Sequence, residues 1–124
     1  MKALILIFFG GGVGSLLRYG LGRWINNTII SEFPYGTFVV NLAGCFLIGF
    51  IMFCTELDKE HVQQWRLLLA TGLCGGFTTF SSFSIENVQL INDGRAMTAL
   101  LYVFASVCMG LLATYLGLLA GKAI

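Results

Sequence analysis

Four long stretches with scarcely a charge among them dominate this chain of 124 residues. They cover residues 4–25, 35–55, 65–91 and 96–120, and polar connections at 26–34, 56–64 and 92–95 separate them. A helix needs roughly 20 mostly apolar residues to cross the hydrocarbon of a bilayer, so each stretch predicts one transmembrane helix. Composition agrees. Charged residues make up 10% of the chain, against about a quarter in a soluble domain, too few to cover a water-facing surface. Trp24, Tyr35 and Trp65 stand near the ends of spans, where amphipathic rings favour the headgroup level. The expected fold is therefore an all-α membrane protein, one domain over 1–124 with four spans. Lys2 and the apolar residues 3–9 have the outline of a signal peptide. The stretch runs on through glycines to Arg18 without an A-x-A cleavage site, and reads as a retained first helix.

The charges narrow the function further. A net charge of +1 gives no basic footprint for nucleic acid, and membrane lipid is the expected surrounding. Four spans put both termini and the second loop on one side, with Lys2, Lys59, Arg66 and Lys122; the other side has Arg18, Arg23 and Arg95. Orientation follows Lys and Arg excess in short loops, and four against three gives almost none, so insertion in both orientations is expected. Cys45, Cys54, Cys74 and Cys108 all fall in apolar stretches without zinc or redox spacing, which reads as small buried hydrophobes. His61 stands in a charged loop near Glu56, Asp58 and Glu60. No nucleophile, base and orienting acid can be placed together, so no enzyme is expected.

In the first span Gly10, Gly14, Arg18 and Gly22 recur every four residues, on one helix face. Small residues there let helices approach closely in lipid, which supplies no hydrophobic drive between them. Gly110, Gly117 and Gly121 give the last span a looser face of the same kind. Arg18 is a cation within an apolar helix, a cost of at least about 2.5 kcal/mol unless it reaches water or a partner. Snorkelling to the headgroups and attraction of anions are both open for it.

Polar residues inside the spans carry the functional signal. The amide of Asn41 must find partners within the membrane, either a neighbouring helix or an aqueous path. In the third span, Gly72, Gly75 and Gly76 precede Thr78 and Thr79, a poor helix interior, so a break is expected in that run. Freed backbone groups at membrane depth are tolerated only against protein or a polar cavity. Beyond it Phe77, Phe80 and Phe83 are spaced by three, with Ser81 and Ser84 on the neighbouring face. A phenyl ring has a positive edge, so such a row beside hydroxyl donors can carry a small anion without the full charge that would hold it too tightly. The alternative is an ordinary packed aromatic stripe. Tyr102, Ser106, Gly110 and Thr114 fall at intervals of four on the last span, either lining a path or bonding their own backbone. Glu86 is the only carboxylate well inside a span, and its role is open.

The run Gly75-Gly76-Phe77-Thr78-Thr79-Phe80-Ser81-Ser82-Phe83-Ser84 resembles the signature of the Fluc, or CrcB, fluoride channels. Gly10-Gly11-Gly12-Val13-Gly14 with Arg18-Tyr19, and Asn41-Leu42-Ala43-Gly44, resemble the family's two other motifs, in the same order and over the whole chain. The resemblance implies an antiparallel, dual-topology homodimer in the bacterial inner membrane, with two pores that export toxic fluoride passively. It implies that Phe80 and Phe83 line the pores and that Asn41 contacts fluoride, with Tyr102, Ser106 and Thr114 on a polar track. It further implies a sodium ion at the dimer centre, held by backbone carbonyls matching Gly75 and Thr78. Gly110 is a departure, because some members carry a hydroxyl there. Fluoride itself comes from the resemblance; nothing in the spacing separates it from chloride. A small multidrug-type exporter shares four spans and dual topology but depends on a carboxylate deep in its first helix. Here that helix has no acid and carries Arg18.

Overall fold

A computed structural model describes all residues, 1–124, and contains only helices and their connections. Helix α1 covers Lys2–Thr28 and α2 covers Tyr35–Glu56. The third span begins as an α-turn at Val62–Trp65, widens into π-helical turns over Arg66–Cys74 and tightens again at Gly75–Phe77; these three pieces together are α3. Helix α4 covers Phe80–Asn92 and α5 covers Ala96–Lys122. Four segments are long and apolar enough to cross a membrane, α3 and α4 counting as one from Val62 to Asn92.

Two helix pairs build the bundle, and glycines make both. Helix α1 packs chiefly on α3, and α2 on α5. A Cβ on Gly10 would overlap the Leu68 carbonyl, and one on Gly14 the Leu73 carbonyl. From the opposite side, one on Gly76 would overlap the Gly11 carbonyl. In the other pair, Gly49 abuts the Thr114 carbonyl and Gly117 the Phe46 carbonyl. Backbones this close gain dispersion and Cα–H···O contacts, the terms that join helices in lipid. Gly22 differs from the expectation drawn from its spacing: nothing lies within 4 Å of a Cβ there. Gly14 already meets Phe77, the last residue of α3, so the partner helix has ended before Gly22 is reached.

The interruption of the third span also falls later than the glycines. Gly75 and Gly76 remain helical; close packing of Gly76 against Gly11 of α1 outweighs weak helix propensity there. Thr78 and Thr79 leave the helix instead, with extended dihedrals of −86°, 157° and −147°, 117°. Thr79 then caps α4, its Oγ1 accepting from the Ser82 N–H at 3.2 Å, which orders the restart of the helix.

Only 19 of the 124 residues are buried within one copy. A water-soluble chain could not fold on so small a core, but a membrane-spanning chain covers its remaining apolar surface with lipid or another copy. Cys74 is buried, Cys45 and Cys54 are half-buried, and Cys108 is exposed. The side with the termini is tied by Arg66, whose guanidinium donates to Glu56 at 3.0 Å and to Thr55 at 3.3 Å. The opposite loops are joined by an ion pair of Arg95 with Glu32.

Candidate functional site

The interruption at Thr78 and Thr79 redirects a set of backbone groups, and the site grows from them. In an unbroken helix the Thr79 N–H would serve the Gly75 carbonyl. Here it donates to Asn41 Oδ1 at 2.8 Å, while Asn41 Nδ2 donates back to the Thr79 carbonyl at 3.0 Å. The Ser82 N–H, the usual donor to the Thr78 carbonyl, goes to Thr79 Oγ1. The carbonyls of Gly75 and Thr78 thus both lose their helical donors. The Gly76 carbonyl also lies where the helix ends, and it accepts from Arg18 Nε at 3.1 Å. Arg18 therefore neutralises an open helix C-terminus, a role its place in α1 did not reveal.

Two cavities meet at this clasp. One, of about 570 Å³, is walled by Arg18, Arg23, Thr37, Thr79 and Ser82. Arg23 is held there by the Tyr19 hydroxyl at 2.6 Å, so two guanidinium groups face one polar space. The other, of about 480 Å³, is walled by Asn41, Gly75, Thr79, Phe80, Phe83 and Ser106 among others. Thr79 belongs to both, and Asn41 pairs with it at the partition.

The aromatic wall has two characters. The Phe80 and Phe83 rings lie 5.6 Å apart and tilted by 38°. Phe83 meets Tyr102 edge to face at 4.9 Å, and Phe33 and Phe38 also pack on Tyr102. Phe80, by contrast, is 79% exposed in a single copy. It stands out beside the exposed Gly75, on a face that the chain does not cover by itself.

The remaining candidates spread out from this wall. Tyr102 is wholly buried, and its hydroxyl donates to Glu86 Oε2 at 2.8 Å. The Thr37 hydroxyl donates to the other carboxylate oxygen at 2.5 Å. Glu86 thus joins α2, α4 and α5 through two hydroxyls. Ser106 reaches the aromatic cavity. Thr114 lies farther along α5 and donates to the Gly110 carbonyl at 3.0 Å, a bond to its own helix. Ser81 is exposed in the first turn of α4, 3.3 Å from Thr79 Oγ1, and Ser84 is half-buried one turn on. Thr37 is absent from the residues singled out by sequence, and Thr79 appears there only as a poor helix former, since each acts through a partner at least 38 positions away. Glu86 carried the one usable signal, a lone carboxylate inside a span.

The CrcB-like protein, Camphor Resistance (CrcB) family matches residues 5–118 of the chain. A fluoride-specific ion channel FluC of Flavobacterium psychrophilum is 47% identical over 124 residues, covering 98% of each chain. The protein of the same name in Phocaeicola vulgatus is 48% identical over 119 residues, 95% of this chain and 97% of its own. That of Thermus thermophilus is 45% identical over 124 residues, 100% of this chain and 97% of its own.

Proposed function

The chain belongs to the CrcB-like family, and from that premise we propose that it is a fluoride-specific ion channel. It is a multi-pass membrane protein and not an enzyme. Fluoride leaves the cell through it passively, down its own gradient, which protects against fluoride toxicity. The observation that carries this reading is identity approaching one half with fluoride-specific channels over essentially the whole chain. A bacterial inner membrane is its place, as the bacterial relatives and four apolar helices support.

The physical account follows the two cavities. Arg18 and Arg23 give the polar cavity a positive field, which concentrates anions before they lose water. Asn41 stands at the partition with its amide, and Phe80 and Phe83 offer ring edges beyond it. Ser81 and Ser84 on α4, and Tyr102, Ser106 and Thr114 on α5, supply hydroxyls along the path. Neutral donors of this kind hold a small anion weakly enough to release it.

The working unit in this reading is an antiparallel homodimer with dual topology. Its supports are the four-to-three balance of basic residues and the uncovered Phe80 beside Gly75. Two antiparallel copies would bring the Gly75 and Thr78 carbonyls of both chains together. Those carbonyls fit a sodium ion: they have lost their helical donors, and hard oxygen ligands without a carboxylate suit a monovalent cation. When bound, that ion would add a fixed positive charge between the subunits, and the carbonyls would hold it.

Fluoride efflux from liposomes containing only the purified protein tests the function, with chloride as the control anion. Efflux of fluoride without chloride is the expected result, and equal passage of both would overturn the assignment. Reporter fusions at the C-terminus test the topology, and activity on both sides of the membrane is expected.

A further inference from the structure

We propose that Cys45 and Cys74 form a two-thiol site for a soft divalent cation of the mercury(II) type, in the wall of the aromatic cavity. Helices α2 and α3 face each other in a regular register. Asn41 pairs with Thr79. Next, a Cβ on Gly44 would overlap the Thr78 methyl. Cys45 follows Gly44 in α2, Cys74 lies one turn before Thr78 in α3, and both border the same cavity. Both are free thiols, Cys74 buried and Cys45 half-buried. Beside Cys45 stands Gly110 of α5, where even an added Cβ would remain 3.5 Å from Cys45 Sγ. The missing side chain leaves room next to the sulfur.

The membrane setting selects the cation. A thiol binds metal as its thiolate, so each ligand releases one proton. Two thiols and one divalent cation give two metal–sulfur bonds, a neutral bis-thiolate and two protons, with no change of oxidation state. A neutral product suits the membrane interior, where net charge is costly. Silver(I) or copper(I) on the same pair leaves one negative charge behind. Zinc takes four protein ligands in a closed site, and no group of three or more His, Cys, Asp or Glu residues is present to approach that. A soft cation content with two thiolates meets both conditions. Bound there, it shares a wall with Asn41, Phe80 and Phe83 and obstructs fluoride; that consequence rests on the channel reading above, whereas the binding does not.

The test uses the full chain carrying Cys54→Ser and Cys108→Ala, which leaves Cys45 and Cys74 as its only thiols. Mercuric chloride is titrated into the protein without competing thiol while near-ultraviolet absorption and proton release are followed, and retention of the bound mercury is then challenged with excess monothiol. The expected result is one mercury per chain and two protons per mercury. Adding Cys45→Ala or Cys74→Ala weakens retention against the monothiol by about 100-fold or more, since the second ligand is then no longer intramolecular. Serine replacements, with gel filtration, separate loss of the thiol from loss of the fold. Two mercury ions per chain, or equal retention in the single-thiol variants, would overturn the site. In liposomes, mercury should stop fluoride efflux from the two-thiol protein and spare both single-thiol variants. Stoichiometric binding with undiminished efflux upholds the site and counts against this cavity as the conduction path.

Discussion

Asn41 and Thr79 exchange two hydrogen bonds, amide to carbonyl and N–H to amide oxygen, at 3.0 and 2.8 Å. One side chain thereby satisfies the backbone at the point where the third span loses its helix, between the basic and the aromatic cavities. Asn41→Leu leaves both Thr79 groups without that partner, a loss of about 1–3 kcal/mol for a buried unsatisfied group. Lower thermal stability in detergent and reduced fluoride efflux are expected together. Asn41→Asp keeps an acceptor for the Thr79 N–H but cannot donate when ionised, so it should retain more stability than Asn41→Leu while placing a repulsive charge on the anion path. If Asn41→Leu melts and conducts like the parent protein, the clasp is not needed.

Hydropathy made the spans legible because membrane crossing is a property of long segments. The stretch 35–55 corresponds to Tyr35–Glu56, and 96–120 to Ala96–Lys122. At α1 the helix runs beyond 4–25 to Lys2 and Thr28, since helical hydrogen bonding continues past the apolar core into the headgroup region. The exact interruption was not legible. Propensity pointed at Gly75 and Gly76, but both stay helical, Gly76 held against Gly11 of α1, and the change falls on Thr78 and Thr79. Residues acting through distant partners were also hidden. Nothing local marks Thr37 as a ligand of Glu86, 49 positions away, or ties Arg18 to the Gly76 carbonyl, 58 positions away. Asn41, Phe80, Phe83 and Ser106 could be singled out because polar or patterned residues inside an apolar span stand out against their background; that four of them border one cavity required the fold.

The glycines of α1 divide into two kinds that spacing alone does not separate. Gly10→Ala and Gly14→Ala each push a methyl into the backbone of α3, and overpacking of this sort costs roughly 1–3 kcal/mol. Gly20 and Gly22 have open space around them, and alanine there improves helix propensity by up to about 1 kcal/mol. Melting curves of the four variants in one detergent should show the first two destabilised and the last two unchanged or slightly more stable. Equal behaviour across all four would show that α1 does not pack on α3 through these residues.

The second loop carries a pH-sensitive contact outside the membrane. The Trp65 indole N–H donates to Asp58 Oδ2 at 3.2 Å, and the His61 N–H to Oδ1 at 3.2 Å. These bonds, the indole's first, hold the Asp58 carboxyl below its ordinary value of 3.8. A depressed carboxyl contributes stability above its unfolded value and loses it as pH falls through the lower folded one. Trp65 emission in a Trp24→Phe background should therefore stay constant from neutral pH down to the ordinary carboxylate range, then shift below it. Asp58→Ala should show the shifted emission at every pH. A transition centred near neutral pH would overturn the assignment to Asp58.

Phe80 and Phe83 separate conduction from folding because their surroundings differ. Phe80 is 79% exposed in one copy, whereas Phe83 packs edge to face on Tyr102 at 4.9 Å. Replacing either by Ile keeps an apolar side chain and removes the electropositive ring edge. Efflux of fluoride is expected to fall at least about tenfold in both, corresponding to about 1.4 kcal/mol, the scale of one favourable aromatic contact. Stability should respond unequally: Phe83→Ile loses the Tyr102 contact within the chain, while Phe80→Ile leaves the fold of each copy intact. Ser81→Ala deletes one hydroxyl donor and keeps the rings, so a milder loss of efflux is expected. Fluoride efflux from liposomes and gel filtration, measured on the same preparations, decide the matter. Ile variants that elute like the parent and conduct at its rate would leave the two rings as packing alone, with no part in moving the ion.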